Sequence, residues 1–447
     1  MAEQFIPTLL QQAERTAALP LLSELNQKGQ TAFAQAVLPN RKTEAWKYTP
    51  LTKFAAHEYA QPGNSAVNDE LAASIALGNI DAAKLVFING QFKADLSDTL
   101  AEATLFSQAN EAQQQLIRSQ LGSQKAGSDN EHLFNDLNDA AVNEGVLVHV
   151  GKNSRPAKPV QVVWLTTEDA APFMVTSRLL VVLETGAELT LIEQYDSDDA
   201  EQVSFTNAVT ELAIGDNAKL QHYRLQMMQE QAQHIGSVFI GLNRDSQYNA
   251  FHLALGSNLT RNDVVVNHNV GGSHCEINGV YIPQNEQVVD FHTCIEHKVA
   301  NCTSDEVFRG IMNDKSKAVF NGRIHIHPQA QKTLAELSNK NLLLTNSAEV
   351  NTKPELEIYA DDVKCAHGAT VAQLEEKARF YLQSRGVSKR EAEVMLSFGF
   401  INELLEALPD EAITRTLRPV LARRFGRDQS LSRHLLEGVD DLTGEQA

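Results

Sequence analysis

Cysteine is scarce in this chain. Four stand among 447 residues, Cys275, Cys294, Cys302 and Cys365, and no two form a CxxC pair. A disulfide framework or a self-contained four-cysteine zinc site is therefore not expected, and the thiols read as reduced. Positive charge is also in deficit. Lysine and arginine number 38 against 57 aspartates and glutamates, a formal charge of -19, which would repel a phosphate backbone and argues against nucleic acid as a partner. No window approaches the ~18 consecutive apolar residues that span a bilayer. The opening MAEQFIPTLLQQAER lacks the basic stretch and apolar run of an export signal. A cytoplasmic location without membrane contact is expected. The GxxxxGK[ST], GxGxxG, GxSxG and HExxH motifs are missing too, so nucleotide hydrolysis by this chain alone, and enzymatic activity in general, are not expected.

What is present divides into three parts: a mainly helical region over 1–143, a β region over 144–368 and a helical region over 369–447. The first is rich in Ala, Gln, Glu and Leu at helical spacing, broken by the strand-like run Val86-Phe87-Ile88-Asn89-Gly90. The second consists of short β-branched runs such as VLVHV, PVQVVWLTT, VVVNH and RIHIH, with polar breaks between them. Such a stretch fits a sandwich, a barrel or a solenoid. Asn278-Gly279 and Asn321-Gly322 are its main hairpin-turn candidates. The similar fragments Gly186-Ala-Glu-Leu and Gly215-Asp-Asn-Ala-Lys-Leu read as equivalent turns of successive coils and tilt the choice toward a parallel β-helix.

In the third part, Thr370 with Gln373 and Ser388 with Glu391 fit the capping box and predict two helix starts. Leu374, Ala378 and Tyr381 form the stripe of the first helix, which ends at Gly386. Val394, Phe398, Ile401 and Leu405 form that of the second, which stops at Pro409. A third helix over 413–425 should be kinked by Pro419, and the tail after Gly426 reads as polar and frayed.

Several side chains offer soft or borderline metal ligands. Cys365 and His367 stand two residues apart, so in an extended segment they point to one side, as a ligand pair or as ordinary packing. By the same rule His292, Cys294 and Glu296 share a strand face while Phe291 and Ile295 pack inside, and His325 and His327 repeat the pattern. Cys275 and Cys302 read as small buried residues. Trp46 and Tyr48 read as packing residues of the helical cap.

Asp362-Val363-Lys364-Cys365-Ala366-His367-Gly368-Ala369-Thr370-Val371 and Phe380-Tyr381-Leu382-Gln383-Ser384-Arg385-Gly386 resemble the C-terminal signature of the SufB/SufD family of iron–sulfur cluster assembly scaffolds, in its SufD form. Arg41-Lys42-Thr43-Glu44, Trp46-Lys47-Tyr48-Thr49-Pro50 and Val319-Phe320-Asn321-Gly322-Arg323-Ile324 extend the likeness over nearly the whole chain. The SufB form is disfavoured because it carries clustered cysteines in its N-terminal part, whereas the first cysteine here is Cys275.

The resemblance implies a right-handed parallel β-helix between helical subdomains. It further implies pairing with SufB, docking of the SufC ATPase through the C-terminal helices marked by Leu374, Tyr381, Val394, Phe398, Ile401 and Leu405, and an assembly of one SufB, two SufC and one SufD. His367, with Cys365 beside it, would share a transient iron–sulfur cluster or iron with a SufB cysteine. Reduced flavin in the complex and a homodimer of the isolated chain are further implications, though no flavin motif is visible. One departure is Ala366, where serine is common. Two rival readings are a purely structural partner of SufB, in which His367 only packs, and a β-helix enzyme acting on carbohydrate.

Overall fold

The computed structural model describes residues 2–15, 19–63, 80–125 and 132–425, together with Leu71, Ile75 and Leu77. The tail after Gly426 lies outside the described residues. The chain is mainly β and winds as a parallel β-solenoid of about eight turns with helices toward both termini. Successive strands alternate between two sheets. One runs from Ala83–Ile88 through Val160–Thr166, Glu188–Ser197, Lys219–Gln226, Gln247–Ala254, His274–Tyr281, Thr303–Met312 and Leu334–Leu343 to Lys364–Gln373. The other ends with Val288–His297, Lys317–Ile326 and Glu349–Ile358. The strand-like run near Val86 thus begins the first sheet, pairing in parallel with Val160–Thr166.

Alternation along each strand sends one side chain inward and the next outward, and parallel register stacks inward positions into columns. Leu189, Leu220, Tyr248, Cys275, Ser304, Ala335 and Cys365 form one column; Leu191, His222, Ala250, Ile277, Glu306, Leu337 and His367 form the next. Most of these are fully buried, and each buried Leu or Ile contributes roughly 1.5–3 kcal/mol.

The turns explain why hairpin signals are rare. Asn153, Gly186, Asn217, Asp245, Gly272, Asn301 and Lys332 all have positive φ and lie on one corner of the solenoid. Each coil's corner is bonded to the next, as in Gly186 N–H to Asp216 C=O and Asn301 N–H to Gln331 C=O. Asn, Asp and Gly tolerate this left-handed conformation, so they recur there. The Gly186 and Gly215 fragments are indeed equivalent turns, with Leu189 beside Leu220 in register. Asn278-Gly279 and Asn321-Gly322 are not turns. Both lie inside strands, where the absence of a side chain makes room for the Phe308 ring and for Leu337 respectively.

At the N-terminal side, helices Ala2–Arg15, Ser23–Gln35 and Leu133–Ala141 cover the outer face of the second sheet. Trp46 is buried there with the Arg261 guanidinium 3.8 Å from its ring centre; Tyr48 is exposed. At the C-terminal side, the predicted helix start at Thr370 does not occur. The strand continues to Gln373 because residues 364–373 pair in register with Leu334–Leu343, and this ladder takes the place of the helical start. The first helix is Glu376–Gln383, followed by Gly386 at φ 90°. Ser388 does cap the second helix, Lys389–Glu406, accepting a bond from Glu391 N–H. The third, Glu411–Phe425, runs through Pro419, held on both sides by buried Ile413, Leu417 and Leu421.

Candidate functional site at the open end of the solenoid

Each interior coil of the solenoid is covered by the next, and among the described residues no further coil follows the last. Among the described residues, Glu349–Ile358 and Lys364–Gln373 are the terminal strands of their sheets, so each presents one edge with no strand paired to it. Lys364 N–H bonds to Thr333 C=O, so by the alternation of a parallel ladder the peptide groups of Cys365, His367, Ala369 and Val371 face outward. In the other sheet Glu349 N–H bonds back to Ser316, which leaves even-numbered residues facing outward. Pro354, with no N–H to offer, occupies one of them, a position that an edge strand tolerates.

Cys365 and His367 end the two interior columns described above. Cys365 is half-buried, packed against the core that ends in Ala335 and Leu337, and burial pushes its thiol up despite a partial offset from an Ala335 backbone bond. His367 points along the same side but is exposed. The structure therefore places a thiol and an imidazole on one side of the last strand, at an end with no further coil among the described residues. Ile358 and Val371 on the terminal strands are exposed, as is Tyr359, whose ring lies 5.6 Å from that of His325.

The C-terminal helices fold back along the outer face of the first sheet. Phe398, Ile401 and Leu405 are buried against Tyr223, Phe251, Leu253 and Ile311, Val394 is buried, and Leu374 packs at the edge of that cluster. These residues attach the hairpin to the solenoid. Phe380 and Tyr381 on its first helix turn outward, at 72% and 55% exposure.

The remaining histidine candidates split. His292 hydrogen-bonds Asp290 and Arg261 beneath the N-terminal cap. His325 and His327 instead converge on Glu296, with Cys294 Sγ 3.4 Å from the same carboxylate. Glu296 shares its strand face with Cys294, as alternation predicts, and parallel register sets it beside His325. Its place at the centre is set by that register, which strand alternation alone does not specify. Cys275 and Cys302 are fully buried, as expected for small core residues.

Residues 3–162 match a family model described as the SufBD protein N-terminal region, and residues 164–400 match one described as the SUF system FeS cluster assembly, SufBD core domain. An iron–sulfur cluster assembly SufBD family protein of Synechocystis sp. is 32% identical over 87% of this chain and 87% of its own length. The iron–sulfur cluster assembly protein SufD of Escherichia coli is 33% identical over 87% of this chain and 89% of its own. The SufD of Bacillus subtilis is 28% identical over 66% and 67%.

Proposed function

The chain belongs to the SufBD family of iron–sulfur cluster assembly proteins, and from this premise we propose that it is the SufD-type scaffold subunit of a SufB–SufC–SufD complex. The observation that carries the reading is the open end of the solenoid. Two sheet edges, unpaired among the described residues, flank a column end at which Cys365 and His367 supply only part of a ligand set. A SufB chain of similar build would extend both sheets across this end, since main-chain pairing of free edges is a general route to association. It would also add the missing ligands for a nascent cluster, which is the cargo of the assembly.

Of the two donors, the exposed imidazole is the stronger candidate. Burial disfavours the thiolate form of Cys365, the form that binds metal. The chain itself then needs no catalytic group and acts by position. The isolated protein would close the same edges by forming a homodimer, and reduced flavin would enter, if at all, only in the complex. A cytoplasmic site of action fits the reading; among the described residues no helix is long and apolar enough to cross a membrane.

In this reading SufC binds the C-terminal hairpin. Phe380 and Tyr381 offer the apolar contact, while Val394, Phe398, Ile401 and Leu405 hold the hairpin to the sheet. When ATP draws two SufC subunits together, the helices over 376–406 pass the motion to the strand Lys364–Gln373 directly before them, uncovering Cys365 and His367.

The pairing is tested by Ala369→Pro, which removes one outward N–H from the free edge and no bond to the neighbouring strand. Co-expressed with SufB and SufC, this variant should keep the thermal stability of the wild type but lose most of its SufB on purification. Unchanged recovery of SufB from this variant and from Val371→Asp would refute edge pairing.

A further inference from the structure

On the outer face of the second sheet, away from the solenoid's interior columns, Glu296, His325 and His327 place one carboxylate oxygen and two imidazole nitrogens within 4.8 Å of one another. Both His325 Nδ1 and His327 Nε2 lie 2.8 Å from the same atom, Glu296 Oε2, and their ring centres are 4.2 Å apart. We propose that these three side chains form a binding site for a divalent transition-metal ion of borderline softness, zinc or iron(II), completed by water.

The donor set has the composition that such ions take, two imidazoles and a carboxylate. In a tetrahedral site with bonds of ~2.1 Å neighbouring ligand atoms stand ~3.4 Å apart, so the present spacing needs only a small spreading of the trio. In the metal-bound form His325 Nδ1 and His327 Nε2 would be the unprotonated nitrogens, each neutral ring carrying its single proton on the other nitrogen. The backbone is already fixed: Glu296 and His325 are register partners in adjacent strands, and His327 N–H bonds to His297 C=O. Little ordering would accompany binding. All three side chains are partly exposed, with Glu296 at 13%, His325 at 17% and His327 at 35%, so an ion can enter and a water can complete its shell.

Arg323 is the opposing element, its Nη1 lying 3.6 Å from Glu296 Oε1. It is, however, paired through Nε and Nη2 to both oxygens of Glu357. The group of Glu296, Glu357 and Arg323 therefore keeps one net negative charge; Glu296 presents Oε2 to the imidazoles, while Arg323 Nη2 lies 3.5 Å from His325 Nδ1 and would compete with the ion for that nitrogen. Cys294 Sγ, 3.4 Å from Oε1, supports the far oxygen and is not assigned as a ligand.

The site stands independently of the scaffold reading, because it uses other residues and can be assayed without SufB or SufC. Untagged full-length protein would be titrated with zinc chloride by calorimetry and with cobalt(II) chloride by visible absorption. The wild type should bind one ion per chain at micromolar or tighter affinity. His325→Ala and His327→Ala should each weaken binding at least tenfold. His149→Ala, which removes a surface histidine paired to Glu184 without a second imidazole, should leave it unchanged. Arg323→Gln should tighten binding, a gain that misfolding could not imitate. A wild type that takes up no stoichiometric zinc, or histidine variants that bind as the wild type does, would reduce the trio to a hydrogen-bonded cluster and overturn the proposal, as would weaker binding by Arg323→Gln.

Discussion

At the scale of single residues the interior carries two opposite pH dependences. His297 is buried and stacked on His268, with ring centres 4.4 Å apart. Burial lowers its pKa from 6.5 to about 4, against a small opposing pull from Glu296. The unfolded chain therefore binds the extra proton first, and stability falls as pH drops from 6.5 through 4, by an amount on the order of 3 kcal/mol. Glu306, two coils inside His367 in the same column, runs the other way. Burial raises its carboxyl from 4.5 to about 8, with partial offset from the Thr293 hydroxyl. Its folded form holds the proton, so stability is complete below 4.5 and is lost as pH rises through 8. Glu306→Gln should therefore gain on the order of 3–5 kcal/mol relative to the wild type between pH 5 and pH 8, read from urea unfolding at the two values. Equal pH slopes in both proteins would reject this assignment. Gly279→Ala tests packing at the same scale. Its Cβ would stand 2.1 Å from the Phe308 ring, and the overpacking should cost about 1–3 kcal/mol in the same assay.

At the scale of elements, the C-terminal hairpin has a buried face that attaches it to the sheet and an exposed face that the proposed reading gives to SufC. Ile401 is fully buried against the sheet, so Ile401→Ala should destabilise the chain by about 2–5 kcal/mol. Phe380→Asp should leave the unfolding curve unchanged and reduce SufC recovery in a pull-down; the reverse pattern would mean that the hairpin faces are assigned backwards. The outline of this hairpin was legible in sequence, since Ser388 and the stripe from Val394 to Leu405 follow capping and helical spacing. The start of its first helix was not. Thr370 and Gln373 satisfy a local capping pattern, but pairing with Leu334–Leu343 is a long-range term that no local window contains. The same limit applies to Asn278-Gly279 and Asn321-Gly322, where local turn chemistry yields to aromatic and aliphatic side chains of neighbouring coils. The corner positions, by contrast, were written in the sequence as Asn, Asp and Gly at positive φ, with Lys332 the exception, and are spread too irregularly to read as a repeat.

For the whole molecule, the governing feature is asymmetry between the two ends of the solenoid. At one end, Gln91–Phe92 and Ala103–Leu105 add short antiparallel strands to the sheets. At the other, both sheets stop, among the described residues, at full-length strands with no strand paired to the outer edge. Alternation alone placed Cys365 and His367 on one face, but it could not say that this face ends an interior column open to the outside. That follows only from the stacking of every earlier coil beneath it. The central claim, that this open end holds a cluster jointly with a partner chain, is tested most directly by iron and sulfide content of the SufB–SufC–SufD complex carrying His367→Ala. The account predicts an intact complex whose iron and sulfide both fall severalfold below wild type; full loading of an intact variant complex would contradict it.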